Sequence, residues 1–110
     1  MKVDISGIEN FVVIPEKEYH FIIDGVLFLE EDDLVAINFT IKKHKLGFVK
    51  KYHFSEEKEV KKLYEILKIT NPNCDGILKK FVGALLINKE FIGEIGYYDD
   101  FIYFKNMRAI

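Results

Sequence analysis

From Leu34 to Lys43 the chain alternates with a period of two. Val35, Ile37, Phe39 and Ile41 fall on one side, and Ala36, Asn38, Thr40 and Lys42 on the other. That period belongs to a β-strand, in which successive side chains point to opposite faces. The first set is expected to face a core, and the second water or a ligand. His44 to Gly47 then reads as a turn, with Gly47 suited to positive φ, and Phe48 to Phe54 as the return strand. The chain is thereby committed to a sheet built on a hairpin.

The remaining elements follow from this hairpin outward. Val12, Val13 and Ile14 form a short apolar run ended by Pro15, expected as an extra edge strand. Tyr19 to Leu29 is β-prone, and Tyr19, Phe21, Ile23, Leu27 and Leu29 share one face, interrupted by Gly25, which suits a bulge. Ser55 is expected to cap a helix whose first turn holds Glu56, Glu57 and Glu59. Val60, Leu63, Tyr64 and Leu67 make an apolar stripe on that helix, which Asn71-Pro72-Asn73 ends. A short second helix is expected from Asp75, carrying Ile77, Leu78 and Phe81 and closed by Gly83. Ala84 to Ile87 reads as a strand, continued by Phe91 to Ile95. Gly96 to Asp100 reads as a turn and Phe101 to Met107 as the last strand.

The 110 residues fit one domain, 1–110, and 49% hydrophobic content supplies a core. No apolar run approaches the ~20 residues a membrane helix needs. The N-terminal residues Lys2, Asp4 and Glu9 break any signal-peptide pattern, and Cys74 is the only cysteine, so a cytoplasmic protein is expected. His20, His44 and His53 lack metal-ligand spacing, and neither a nucleotide-binding glycine loop nor an acid–base constellation is visible. No cofactor, no metal and no enzymatic activity are expected.

Charge is segregated along the chain. Residues 1–41 hold two lysines against nine acids, net −7, whereas residues 42–62 hold eight lysines against three acids, net +5. The rest is neutral, and the whole chain is −2. One positive side on an acidic molecule is the arrangement that attracts phosphate locally.

Three strands, a helix and two strands is the element order of an oligonucleotide-binding (OB) fold, in which the helix lies between the third and fourth barrel strands. The fold class expected is therefore mainly β: an OB-fold-like β-barrel of five or six strands with that helix and a short second one. Landmarks along the chain strengthen this. Pro15-x-x-x-Tyr19 opens the first long strand, Phe54-Ser55 ends the third, Leu63, Tyr64 and Leu67 mark the helix, Phe81-Val82-Gly83 steps into the fourth strand, and Tyr103 lies in the last. Over roughly residues 11–107 this pattern resembles the small single-stranded DNA-binding proteins of phages and plasmids. These have an OB fold, and many are catalogued as domains of unknown function.

The resemblance implies a sequence-tolerant protein of phage, plasmid or viral origin that binds single-stranded DNA, or RNA. It also implies replication or recombination proteins as partners. Relatives often carry Gly before the opening Tyr, where this chain has Glu18. Many end in an acidic recruiting tail, whereas this sequence ends Asn106-Met107-Arg108-Ala109-Ile110.

The residues themselves nominate the contacts. Lys42, Lys43, Lys45, Lys50 and Lys51 in the hairpin are candidates for phosphates, and Tyr52 for a base. Two parities are open on the return strand. Phe48, Lys50, Tyr52 and Phe54 could face outward as a stacking platform. Alternatively they face the core, with Lys50 reaching out past it, and the position of Phe54 just before the helix favours this. On the last strand, burying Ile102 and Phe104 exposes Tyr103 and Lys105 as a second platform. The competing reading is a β-rich protein-interaction or oligomerisation module without nucleic-acid binding, with a homo-oligomer favoured by the charge split.

Overall fold

The computed structural model describes residues 14–44, 46–73, 82–99 and 101–110. Its elements are β1 (Glu18–Leu29), β2 (Leu34–Ile41), β3 (Leu46–His53), α1 (Glu57–Thr70), α2 (Val82–Leu86), β4 (Glu90–Tyr98) and β5 (Phe101–Arg108). All five strands form one antiparallel sheet in the order β3-β2-β1-β4-β5. The protein is thus mainly β, as its alternation dictates.

Order places β3 and β5 at opposite edges, four strand spacings apart, which would be about 19 Å in a flat sheet. The sheet is far from flat. Phe21, Phe39, Phe48, Phe91 and Phe104, one phenylalanine from each strand, meet in a single cluster. Phe48 of β3 and Phe104 of β5 lie 5.7 Å apart between ring centroids, and Phe104 lies 4.8 Å from Phe39. The sheet therefore curls until its edges touch through side chains, although among the described residues no backbone ladder joins β3 to β5. Hydrogen-bonded closure, expected of a barrel, is absent from this arrangement.

The bulge expected at Gly25 is present as a register shift between Ile23 and Gly25. It reverses the parity of β1. Tyr19, Phe21 and Ile23 are buried, but beyond the bulge Val26 packs on the core and Leu27 is 59% exposed. The uniform face expected from Tyr19 to Leu29 therefore breaks where the extra residue sits. The Asp24 carboxylate accepts hydrogen bonds from Asn38 and Thr40 on β2 and so ties down the irregularity. At the start of the strand, the Tyr19 hydroxyl donates to the Pro15 carbonyl at 2.6 Å, which gives the Pro15-x-x-x-Tyr19 landmark a local reason.

Several boundaries differ from the sequence expectation. Helix α1 begins at Glu57 with Glu56, not Ser55, at its N-cap. Its first turn is instead tied back by Glu59, whose Oε1 accepts from the His53 backbone N–H at 2.7 Å. Leu63, Ile66 and Leu67 form its buried stripe, while Tyr64 is 44% exposed. Residues 84–87, expected as a strand, belong largely to helix α2, which buries Val82 and Leu86 one turn apart. A four-residue apolar run does not distinguish the two forms. Strand β4 continues to Tyr98, shortening the expected turn, because Tyr97 and Tyr98 pair with Ile102 and Phe101 of β5, and the Tyr97 hydroxyl donates to the Ile14 carbonyl at 2.6 Å. Gly47 does not adopt positive φ. A Cβ there would meet the Phe39 carbonyl oxygen at 2.7 Å, so closeness to β2 is what requires glycine. Val12 and Val13 of the expected edge strand, the Asp75–Phe81 part of the expected second helix, Cys74 and Lys45 lie outside the described residues.

Candidate nucleic-acid interface

Strand parity separates the lysines of the hairpin. Phe48 and Tyr52 face the core, with Tyr52 only 3% exposed, so Tyr52 has no free ring face for a base. Lys50 shares their face and is half-buried. Its Nζ donates to the Ile102 carbonyl on β5 and sits 5.9 Å from the Tyr52 ring centroid. Burial, and then the nearby charge of Lys62, push the Lys50 ammonium below the usual lysine range, with Glu59 opposing them. Lys50 is thus a clamp between the sheet edges, not the open phosphate contact expected from the sequence.

Lys42 lies on the outer face, as expected, but is engaged there. Its Nζ is 3.0 Å from Glu90 Oε1, which also contacts His20 Nε2 at 2.6 Å. Hydrogen bonds from Lys42 and then His20 hold the Glu90 carboxyl below the usual carboxylate range. Lys43, in the turn, and Lys51, opposite Ala36, are exposed. Tyr103 is half-buried and lies across Gly96, where a Cβ would come within 2.6 Å of its ring. The hairpin therefore does not present its lysines and aromatics as one platform.

A different surface gathers them. Between α1 and β5 runs an open groove of about 810 Å³. Lys61, Tyr64, Glu65 and Lys68 come to it from one face of α1, and Lys105, Asn106 and Met107 from β5. A smaller crevice of about 40 Å³ shares Glu65, Phe104 and Met107 with the groove and extends it to Lys50, Lys62 and Tyr103. Lysines of α1 and β5 thus line the groove together with Tyr64, lysines of α1 and β3 line the crevice, and Glu65 is the acid in both linings. Lys105 is the one exposed candidate from the sequence that this groove contains.

Sequence reasoning missed Lys61, Tyr64 and Lys68, although a signal was available. Positions 61, 64, 65 and 68 follow helical i, i+3, i+4, i+7 spacing and define a second stripe beside the buried one. Tyr64 also sits at i+4 from Val60 and i−3 from Leu67, which is why periodicity alone assigned it to the core.

Among the described residues, no group of three or more His, Cys, Asp or Glu side chains could hold a metal ion. Among them, too, no helix is long and apolar enough to cross a membrane. Compared with known proteins, the chain matches no family model. A search of curated proteins likewise finds no match.

Proposed function

We propose that this protein binds single-stranded nucleic acid without strong sequence preference, through the groove between α1 and β5. The observation that carries the reading is that Lys61, Lys68 and Lys105 line one groove with the exposed Tyr64, Lys61 also lying 3.8 Å from the exposed Glu57 carboxylate. Lysines neutralise phosphates regardless of sequence, and a tyrosine face accepts any base. From Lys61 to Lys68 the helix rises about 10 Å, roughly the length of three stacked nucleotides.

On this reading the scaffold is of the OB type, similar to that of the small phage and plasmid single-stranded DNA-binding proteins. Supporting it are the strand order, the position of α1 between β3 and β4 in the chain, and the contact of the two sheet edges through Phe48 and Phe104. The protein then acts as a non-enzymatic cytoplasmic binder, and partners in replication or recombination would meet it on DNA.

Fluorescence anisotropy with a labelled oligo-dT tests the reading at low salt and again at higher salt. Binding that weakens as salt rises is expected. Absence of binding at low salt overturns it.

A further inference from the structure

The β4–β5 hairpin ends in the most exposed aromatic residues of the described chain. Tyr98 and Phe101 are 72% and 70% exposed and face each other across the last rung of the ladder. Pairing of β1 with β4 reaches to Glu94, the Ile95 N–H still reaches the Lys17 carbonyl, and Ile95 and Tyr97 pack on the core, so the end of the hairpin at Tyr98 and Phe101 is the part that projects beyond the neighbouring chain as a short two-stranded arm. The arm is stiffened at its base, where Tyr103 covers Gly96 and the Tyr97 hydroxyl is anchored on Ile14. Asp99 sits at its tip, and Asp100 follows in the sequence. An acidic tip repels phosphates, so these rings are poorly placed to stack on nucleic acid.

The charge and chemistry of this arm are complementary to the groove between α1 and β5. The groove carries Lys61, Lys68 and Lys105 against the one acid Glu65, and offers Tyr64, Ile69 and Met107 as apolar contacts. We infer that the acidic aromatic arm of one copy docks into the lysine-lined groove of a second copy. An arm cannot enter its own groove: Phe101 and Lys105 are four residues apart on one continuous strand, about 13 Å along a rigid ladder.

Arm and groove are different surfaces, so a contact made in one direction builds rings or open chains, and a reciprocal exchange of arms between two copies closes a twofold dimer. Two aromatic side chains bury about 150–250 Å² each, so the contact, counted on both sides, reaches at most about 1,000 Å², below the roughly 1,200 Å² at which stable specific interfaces begin. The association is therefore weak, dependent on concentration and weakened by salt. It does not require that the groove bind nucleic acid. Where it does, the arm and the strand compete for the same lysines.

Size-exclusion chromatography with light scattering tests the inference on the full chain up to millimolar concentration. The wild-type mass is expected to rise with concentration. A Tyr98→Ser/Phe101→Ser variant lacks the arm contact, and a Tyr64→Ser/Lys105→Glu variant lacks the groove contact. Each alone is expected to remain monomeric. An equimolar mixture still holds one intact arm and one intact groove per pair, and is expected to double in mass and stop at the dimer.

A second arm variant, Asp99→Asn, removes the charge while tolerating the positive φ of 54° at this position and is expected to weaken association, and circular dichroism confirms that each variant is folded. A monomeric wild type, an arm variant that still associates, or a mixture that stays monomeric overturns the inference. Association that follows this pattern without any oligo-dT binding supports the inference while removing the nucleic-acid reading.

Discussion

Phe48 and Phe104 belong to the two edge strands of one sheet, yet their rings lie 5.7 Å apart. Phe104 also contacts the rings of Phe21, Phe39 and Phe91, so it joins the late-sequence edge to the early core. Phe104→Ala is expected to cost about 3 kcal/mol, since it leaves a cavity where the edges meet. Leu27→Ala, at an exposed position beyond the bulge, is expected to change stability by less than about 0.5 kcal/mol. Urea denaturation of both variants against wild type checks the contrast.

Two glycines give opposite expectations. At Gly47 an added Cβ would lie 2.7 Å from the Phe39 carbonyl oxygen and 3.0 Å from Thr40 Oγ1, so the β2–β3 hairpin must shift. Gly47→Ala is expected to destabilise by about 1–3 kcal/mol. At Gly83, inside α2, the nearest atom is a Val26 methyl at 3.8 Å. Gly83→Ala is expected to stabilise by roughly 0.5–1 kcal/mol through helix propensity. Thermal unfolding of the two variants should move the midpoint in opposite directions.

Acid should weaken the protein through Glu90. Its carboxyl is held below the usual range by Lys42 and His20, so its folded pKa lies under its unfolded one. Its contribution is therefore present above the ordinary carboxylate range and is lost as pH falls through the depressed folded value. Stability measured in urea from pH 6 downward should fall less steeply in Glu90→Gln than in wild type. Equal slopes would show that the Glu90 cluster does not contribute.

Lys50 predicts an effect at the other end of the scale. Burial lowers its folded pKa, so the unfolded chain holds the proton to higher pH and wild-type stability gains as pH rises toward the ordinary lysine range. Tyr52, whose hydroxyl burial pushes far up, works in the opposite direction once an unfolded tyrosine begins to ionise. Comparing wild type with Lys50→Met isolates the lysine, because both keep Tyr52. The difference between them should shift in favour of wild type between neutral pH and about pH 10.

The groove makes a quantitative prediction for binding. Each lysine that neutralises a phosphate on a single strand contributes about 0.7 to the slope of log K against log salt. Lys61→Ala and Lys105→Ala should each reduce that slope by about this amount. Lys51→Ala, on the outer face of the sheet, should leave it unchanged. Tyr64→Ser should lose about 1–3 kcal/mol of oligo-dT affinity at every salt concentration.

Alternation made β2 legible in advance, because period two leaves no helical alternative, whereas on β3 it left two parities open, of which Phe54 at the helix entrance favoured the inward one that the structure shows. The bulge at Gly25 was readable, but not its effect on Leu27, since a reversal of parity depends on which residue remains unpaired. Residues 84–87 were ambiguous because a short apolar run fits a buried helix turn as well as a strand. The lysines were visible as a cluster in sequence, while the surface they serve was not. Lys50 and Lys51 point to opposite faces, and Lys61, Tyr64 and Lys105 come together only when the sheet curls against α1. A one-dimensional charge run reports proximity along the chain, and a groove depends on proximity across it.

The cluster of five rings also acts as a check on assembly. Each strand brings one phenylalanine to the common centre, so a strand that slips by one residue turns its ring to the opposite face. A slip of two keeps the face but moves the ring about 7 Å along the strand, out of contact. Misregistered chains therefore lose ring contacts with several strands at once, and the native pairing is the arrangement that seats all five.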